Sequence, residues 1–181
     1  MTRYVAFLRG INVGGRKLIK MDALAEMFRS AGLKNVRTHI ASGNVIFDSA
    51  SANKAALIRK IEKVLVRELG YEVPVILRTL AELENLARRN PFKKQPSSKD
   101  IGHFVVFLAG EPEKEIQIPL ISQTENLEVF ELADSTAFIL ARRKKTGWFG
   151  YPNNFVEKQF GVIGTTRNWS SVNKLVKAAR D

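Results

Sequence analysis

Three short segments carry side chains of the kinds that hold anions: Leu8-Arg-Gly-Ile-Asn-Val-Gly-Gly15, Ser42-Gly-Asn44 and Thr165-Thr-Arg-Asn-Trp-Ser170. In the first, Arg9 and Asn12 stand with Gly14, Gly15, Arg16 and Lys17 ahead of a helical stretch. Such a loop offers backbone amides, a carboxamide and cations to one negative group. It has neither the glycine-lysine spacing of a Walker A loop nor the three spaced glycines of a dinucleotide fingerprint. The plainer role is a turn whose glycines supply unusual backbone angles. In the third segment Asn168 has the position of a helix N-cap, which sets Arg167 beside a helix N-terminus, where the dipole favours negative charge. The plainer arrangement is equally concrete: Asn168 caps, Trp169 packs and Arg167 pairs with an acid. Ser42, Gly43 and Asn44 have the chemistry of a turn between strands. The candidate ligand-binding residues are Arg9, Asn12, Gly14, Gly15, Ser42, Asn44, Arg167 and Asn168. Whether the first strand's exit and the Ser42-Gly43-Asn44 turn converge at one end of a sheet is left open at this point.

A fourth stretch, Arg142-Arg-Lys-Lys-Thr-Gly-Trp-Phe-Gly-Tyr151, interleaves cations with aromatics. That combination stacks single-stranded bases while pairing their phosphates; alternatively Trp148 and Phe149 anchor the loop in a core. The first and third strands lack the ordered aromatics of an RNA-recognition sheet, with only Phe7 and Phe47 to stand in. No acid-base dyad stands out. Ser42 lacks a Gly-x-Ser-x-Gly elbow, and Glu157, Lys158, Asp22, Glu26 and His39 lie in no catalytic motif. No catalytic residue is assigned.

Composition narrows the classes. The absence of cysteine removes disulfides, zinc-thiolate sites, iron-sulfur clusters and thiol nucleophiles together. Two histidines, His39 and His103, are too few for a histidine-rich centre, so neither a metal nor a cofactor is expected. The net charge of +11 attracts polyanions, nucleic acid first among them. The cations are dispersed along the chain, however, as a solvated surface would also have them. No apolar run reaches the length of a membrane span, and Met1 to Phe7 enters a strand pattern directly, so no membrane partner and a cytoplasmic location are expected.

The elements that must position these residues follow from periodicity. Tyr4, Ala6 and Leu8 alternate with Val5, Phe7 and Arg9, a strand apolar on both faces. Leu24, Met27, Phe28 and Ala31 mark a helix ended by Gly32. Val36 to Ile40 and Val45 to Asp48 are short strands about the Ser42-Gly43-Asn44 turn. Leu57 to Leu69 is a long helix closed by Gly70, and Glu72 to Arg78 a strand. The resulting β-α-β-β-α-β order is the ferredoxin-like split βαβ pattern. Thr79-Leu-Ala-Glu82 has the spacing of a capping box, and Asn90-Pro91 ends that helix. Phe92 to Asp100 reads as a surface loop. His103 to Ala109, Leu127 to Leu132 and Thr136 to Arg142 alternate as strands, whereas Glu111 to Gln123 is ambiguous. A short helix is expected from Asn153 to Phe160, capped by Asn153 or Asn154, and a last helix carries Val172, Leu175, Val176 and Ala179 on one face. The fold expected is α+β: a ferredoxin-like subdomain over residues 1–80, packed against a second α+β subdomain over 81–181.

Several ordered motifs together resemble the bacterial family catalogued as domain of unknown function 1697. They are Leu8 to Gly15, Lys20-Met21, Ser42-Gly-Asn-Val45, Asn90-Pro-Phe92, Asn154 with Glu157-Lys158, and Thr166-Arg-Asn-Trp169 with Lys174-Leu175. The resemblance implies an α+β fold of two related subdomains and brings no activity or catalytic residues with it. The function expected is binding of an anionic, phosphate-bearing ligand, nucleic acid among the candidates, in a pocket at the junction of the two halves. The alternatives are an enzyme acting on a phosphorylated or carboxylated small molecule, with Glu157 and Lys158 moving the proton, and a structural or protein-interaction module.

Overall fold

A computed structural model describes residues 1–181, an α+β fold of five helices and two antiparallel sheets. The chain divides into two units, Met1–Asn85 with Leu175–Asp181, and Leu86–Lys174.

Unit 1 runs β1 (Thr2–Leu8), α1 (Met21–Ser30), β2 (Lys34–His39), β3 (Asn44–Ser49), α2 (Lys54–Leu69), β4 (Val75–Thr79) and the start of α3 (Leu80–Arg89). Its sheet order is β2-β3-β1-β4, antiparallel throughout, as the split βαβ pattern requires. The helices lie against the β1 face carrying Tyr4, Ala6 and Leu8, where Leu24 and Phe28 of α1 and Leu57, Ile61 and Leu65 of α2 join one core. Tyr4 and Phe47 stack there at 5.6 Å between ring centroids. Burying each such ring is worth roughly 1.5–3 kcal/mol. Val5 and Phe7, on the opposite face of β1, are also fully buried, as the two-sided apolar pattern implies.

Local chemistry explains most boundaries. Asn53 Oδ1 accepts the Ala56 amide to start α2, and Gly70, left-handed at φ 77°, ends it. The capping box is formed: Glu82 accepts the Thr79 amide at 2.7 Å and the Thr79 hydroxyl accepts the Glu82 amide at 3.2 Å. Burial pushes the Glu82 carboxyl up, but hydrogen bonds from Lys54 and Thr79 outweigh it and hold the group below the usual carboxylate range. Leu175–Asp181 belongs with unit 1, where Arg3 Nη1 donates to the Ala179 carbonyl at 2.9 Å.

Unit 2 holds the remainder of α3, then β5 (Ile101–Leu108), β6 (Leu120–Ser122), β7 (Leu127–Ala133), β8 (Thr136–Arg142), α4 (Pro152–Phe160), β9 (Gly164–Asn168) and the start of α5 (Trp169–Arg180). Its sheet order is β6-β7-β8-β5-β9. Val156 and Phe160 of α4 cover the face bearing Val106, Leu108, Val129 and Ile139. β7 and β8 join through Asp134 and Ser135, both at positive φ, the geometry of a two-residue hairpin turn.

Two elements differ from the sequence expectation. Thr165 to Asn168, in sequence a polar segment ahead of the last helix, is most of strand β9, paired along β5 from Phe104↔Asn168 to Leu108↔Gly164. Its threonines suit a strand, but without apolar alternation they give no period-2 signal. Helix α4 is not capped by Asn153 or Asn154. Pro152 starts it without a side-chain cap, its fixed φ already suiting the first turn. Within the ambiguous stretch, β6 follows a cis Ile118–Pro119 bond.

Candidate anion-binding loops

Antiparallel pairing of β1 with β3 puts Phe7 opposite Asn44, so the exit of β1 and the β2–β3 turn share one end of the unit 1 sheet. The two segments meet there. Leu8 donates its amide to the Gly43 carbonyl at 2.9 Å, and Arg9 its amide to the Pro74 carbonyl at 3.0 Å. Gly43 is at φ 75°, and a Cβ on it would lie 2.7 Å from Ile11 Cδ1, so close packing and backbone angle both require glycine.

Asn12 is the clamp between the loops. Its Oδ1 accepts the Ile19 amide at 2.7 Å, and its Nδ2 donates to the Ile19 carbonyl at 3.1 Å and the Ala41 carbonyl at 2.9 Å. Asn44 plays a similar part in the turn, donating to Ser42 Oγ at 2.9 Å and the His39 carbonyl at 3.1 Å. Between those anchors Ile40 is held at φ 52°, a conformation that β-branched residues rarely adopt.

Residues 12–17 form a small hairpin finger. The Asn12 amide donates to the Lys17 carbonyl at 3.1 Å, Val13 bridges Arg16, and Gly14 and Gly15, at φ 57° and 74°, make the turn. A Cβ on Gly14 or Gly15 would meet nothing within 4 Å, so the tip is open to an approaching group. Lys17 Nζ sits 4.7 Å from the centroid of the Tyr71 ring. From Arg9 to Lys20 the chain carries four cations and no carboxylate, and neither Arg16 nor Lys20 makes an ion pair.

In unit 2, Arg167 lies on β9 with only 8% of its surface exposed, its Nη1 donating to Thr165 Oγ1 at 2.9 Å and the Thr166 carbonyl at 2.8 Å. Burial pulls its guanidinium down to about 10. Asn168 Oδ1 accepts the Ser170 amide at 2.9 Å and so starts α5. Helix α4 is bolted to β9: Glu157 accepts the Gly164 amide at 2.9 Å, and Asn153 accepts from Thr166 Oγ1 and donates to the Gly164 carbonyl. These bonds give Asn153 and Glu157 structural duties that the sequence does not disclose, because it gives no sign of β9.

The basic–aromatic stretch is sorted by its surroundings. Arg142 pairs with Glu128 at 3.0 Å, Arg143 with Asp100 at 3.2 Å and Lys144 with Glu125 at 2.9 Å. Phe149 turns inward against Phe104, at 5.8 Å and 71° between ring planes, with the Arg143 guanidinium 4.7 Å above it. Trp148 instead faces out. The three acids lie 14 to 43 residues away in sequence, which is why the charge run alone overstates its free cations.

No group of three or more histidine, aspartate or glutamate side chains is arranged to hold a metal ion, and no helix is long and apolar enough to cross a membrane.

The family model described as a protein of unknown function (DUF1697) matches residues 1–138. A solved structure described as that of the conserved bacterial protein SP0830 from Streptococcus pneumoniae is similar in fold. It superimposes with a TM-score of 0.70 at 22% identity, over 100% of this chain and 99% of that one. Among curated proteins nothing matches the chain.

Proposed function

Since the chain belongs to the DUF1697 family of proteins of unknown function, the family supplies no chemistry, and we propose from geometry and charge that the protein binds an anionic, phosphate-bearing ligand, nucleic acid included, on the unit 1 loops. One observation carries this reading: four cations without an intervening carboxylate, Arg16 and Lys17 on the finger with Arg9 and Lys20 flanking it, stand on a loop that the Asn12 carboxamide ties to the β2–β3 turn. A cation held on a braced loop gives up less conformational entropy on binding than one on a mobile chain. In this reading Arg9, Arg16, Lys17 and Lys20 supply charge, Gly14 and Gly15 let backbone amides approach the ligand, and Asn12, Ser42 and Asn44 are positioning residues. Arg167 and Asn168 serve by holding the β9–α5 junction of unit 2.

The test uses two probes, inorganic polyphosphate and a labelled oligonucleotide, titrated across a salt series with wild type and an Arg16→Ala, Lys20→Ala double variant. Both substituted side chains are exposed and unpaired, so the variant folds. The expected result is salt-sensitive binding that weakens in the variant, with the slope against log salt falling by about 0.7 for each single-strand phosphate no longer neutralised. Equal binding by the two proteins overturns the reading.

A further inference from the structure

We propose that the loop over residues 143–151 of unit 2 is a stacking platform for the unpaired bases of a single-stranded nucleic acid, a surface separate from the unit 1 finger. Trp148 is 77% exposed and Tyr151 is 74% exposed, whereas Phe149 between them is half-buried against Phe104. Large aromatic faces left in water on a well-anchored loop call for a flat partner.

The loop is braced for display. Arg143 directs three donors inward: Nε to Asp100 Oδ1 at 3.2 Å, Nη1 to the Gly147 carbonyl at 2.6 Å and Nη2 to the Lys99 carbonyl at 2.7 Å. Backbone bonds close it further, from Lys144 N to Trp148 O at 2.8 Å, Gly147 N to Lys144 O at 2.9 Å and Arg143 N to Asp100 O at 2.9 Å. Gly150 is pressed so close to residue 125 that a Cβ would lie 2.3 Å from the Glu125 carbonyl oxygen. Both outward rings therefore leave a fixed frame.

Charge selects the occupant. Arg142, Arg143 and Lys144 are neutralised by Glu128, Asp100 and Glu125, whereas Lys145 and Lys99 make no ion pair. The Arg143–Lys99 bond brings the segment carrying Lys99 to the base of the same loop. Two free cations beside two exposed rings, on a chain of net charge +11, match a strand that alternates phosphates with base faces. A duplex hides those faces in its own stack. An anionic bilayer also takes tryptophan and tyrosine rings at headgroup level, so the vesicle probe below separates that occupant from a single strand.

The deciding experiment measures anisotropy of a labelled twelve-nucleotide single strand and of its duplex, with polyphosphate as competitor and phosphatidylglycerol vesicles as a separate probe. The proteins are wild type, Trp148→Ala, Tyr151→Ala, Lys145→Ala and the Arg16→Ala, Lys20→Ala double variant, with matched thermal melts as the folding control. The expected result is tighter binding of the single strand than of the duplex, weakened about 5- to 100-fold by Trp148→Ala or Tyr151→Ala. Lys145→Ala should lower the salt slope by about 0.7. Wild-type affinity for the single strand in both aromatic variants overturns the platform. So does a defect of those variants confined to the vesicles, which would make the loop a membrane contact. The unit 1 reading is tested apart. Loss of polyphosphate binding only in the double variant supports it, and single-strand binding that needs Trp148 but neither Arg16 nor Lys20 supports the platform alone.

Discussion

The Asn12 carboxamide reaches 29 residues along the chain to donate to the Ala41 carbonyl at 2.9 Å, while the same group holds both the amide and the carbonyl of Ile19. Two loops thus become one structure at the end of the unit 1 sheet. A residue that looks from its type like a ligand contact is the fastener that keeps the cations beside it in place.

Asn12→Ala removes three hydrogen bonds and puts alanine at φ 54°. Loss of about 1–3 kcal/mol is expected in urea unfolding. Asn12→Gly, which tolerates the backbone angle, should recover only the conformational part. Equal stability of all three proteins would show that the clamp contributes nothing.

Gly43→Ala should be far more harmful than Gly14→Ala. Both glycines have positive φ, but only at Gly43 would a new Cβ lie 2.7 Å from Ile11 and 3.1 Å from Leu8. Strain alone predicts about 1 kcal/mol at Gly14, and overpacking adds a further ~1–3 kcal/mol at Gly43. Thermal melts of the two variants side by side make the comparison.

Asp48 gives unit 1 an acid-sensitive lock. A hydrogen bond from Arg3, whose Nε lies 2.9 Å from Oδ1, holds the Asp48 carboxyl below the usual range against the opposing effect of burial, and Asn35 Nδ2 supports it at 2.8 Å from Oδ2. A carboxyl depressed in the folded state stabilises fully above its unfolded value, about 4, and the contribution fades as pH falls through the lowered folded value. Asp48→Asn should therefore be less stable than wild type by about 1–2 kcal/mol at pH 7, with the gap closing below pH 4. Urea melts at pH 7, 4 and 3 measure it; a gap constant with pH would exclude the ionised pair as its source.

Unit 1 is legible in the sequence because its signals are local and periodic. Tyr4 to Leu8 alternates, Leu57 to Leu69 repeats at helical spacing, and Thr79 with Glu82 announces a cap three residues apart. The split βαβ topology already brings the exit of β1 and the β2–β3 turn to one sheet end, because β1 and β2 run parallel about β3, but the contact of Asn12 with Ala41 is not legible, since it depends on the register that puts Phe7 opposite Asn44. β9 escapes because Thr165, Thr166 and Arg167 carry no apolar alternation; its pairing partner, β5, supplies the order. The cations of Arg142 to Lys145 are visible, but the acids that quench three of them arrive from the segment before β5, from the β6–β7 turn and from β7.

Arg3 and Ala179 stand 176 residues apart in sequence yet share a 2.9 Å bond within unit 1. During synthesis the four-stranded sheet can pair as soon as β4 has emerged, but its first strand's guanidinium waits for the last helix before that bond forms. Unit 1 is thus discontinuous in sequence, completed at Arg3 by a segment that follows all of unit 2, and contacts of such separation are the slow ones to close.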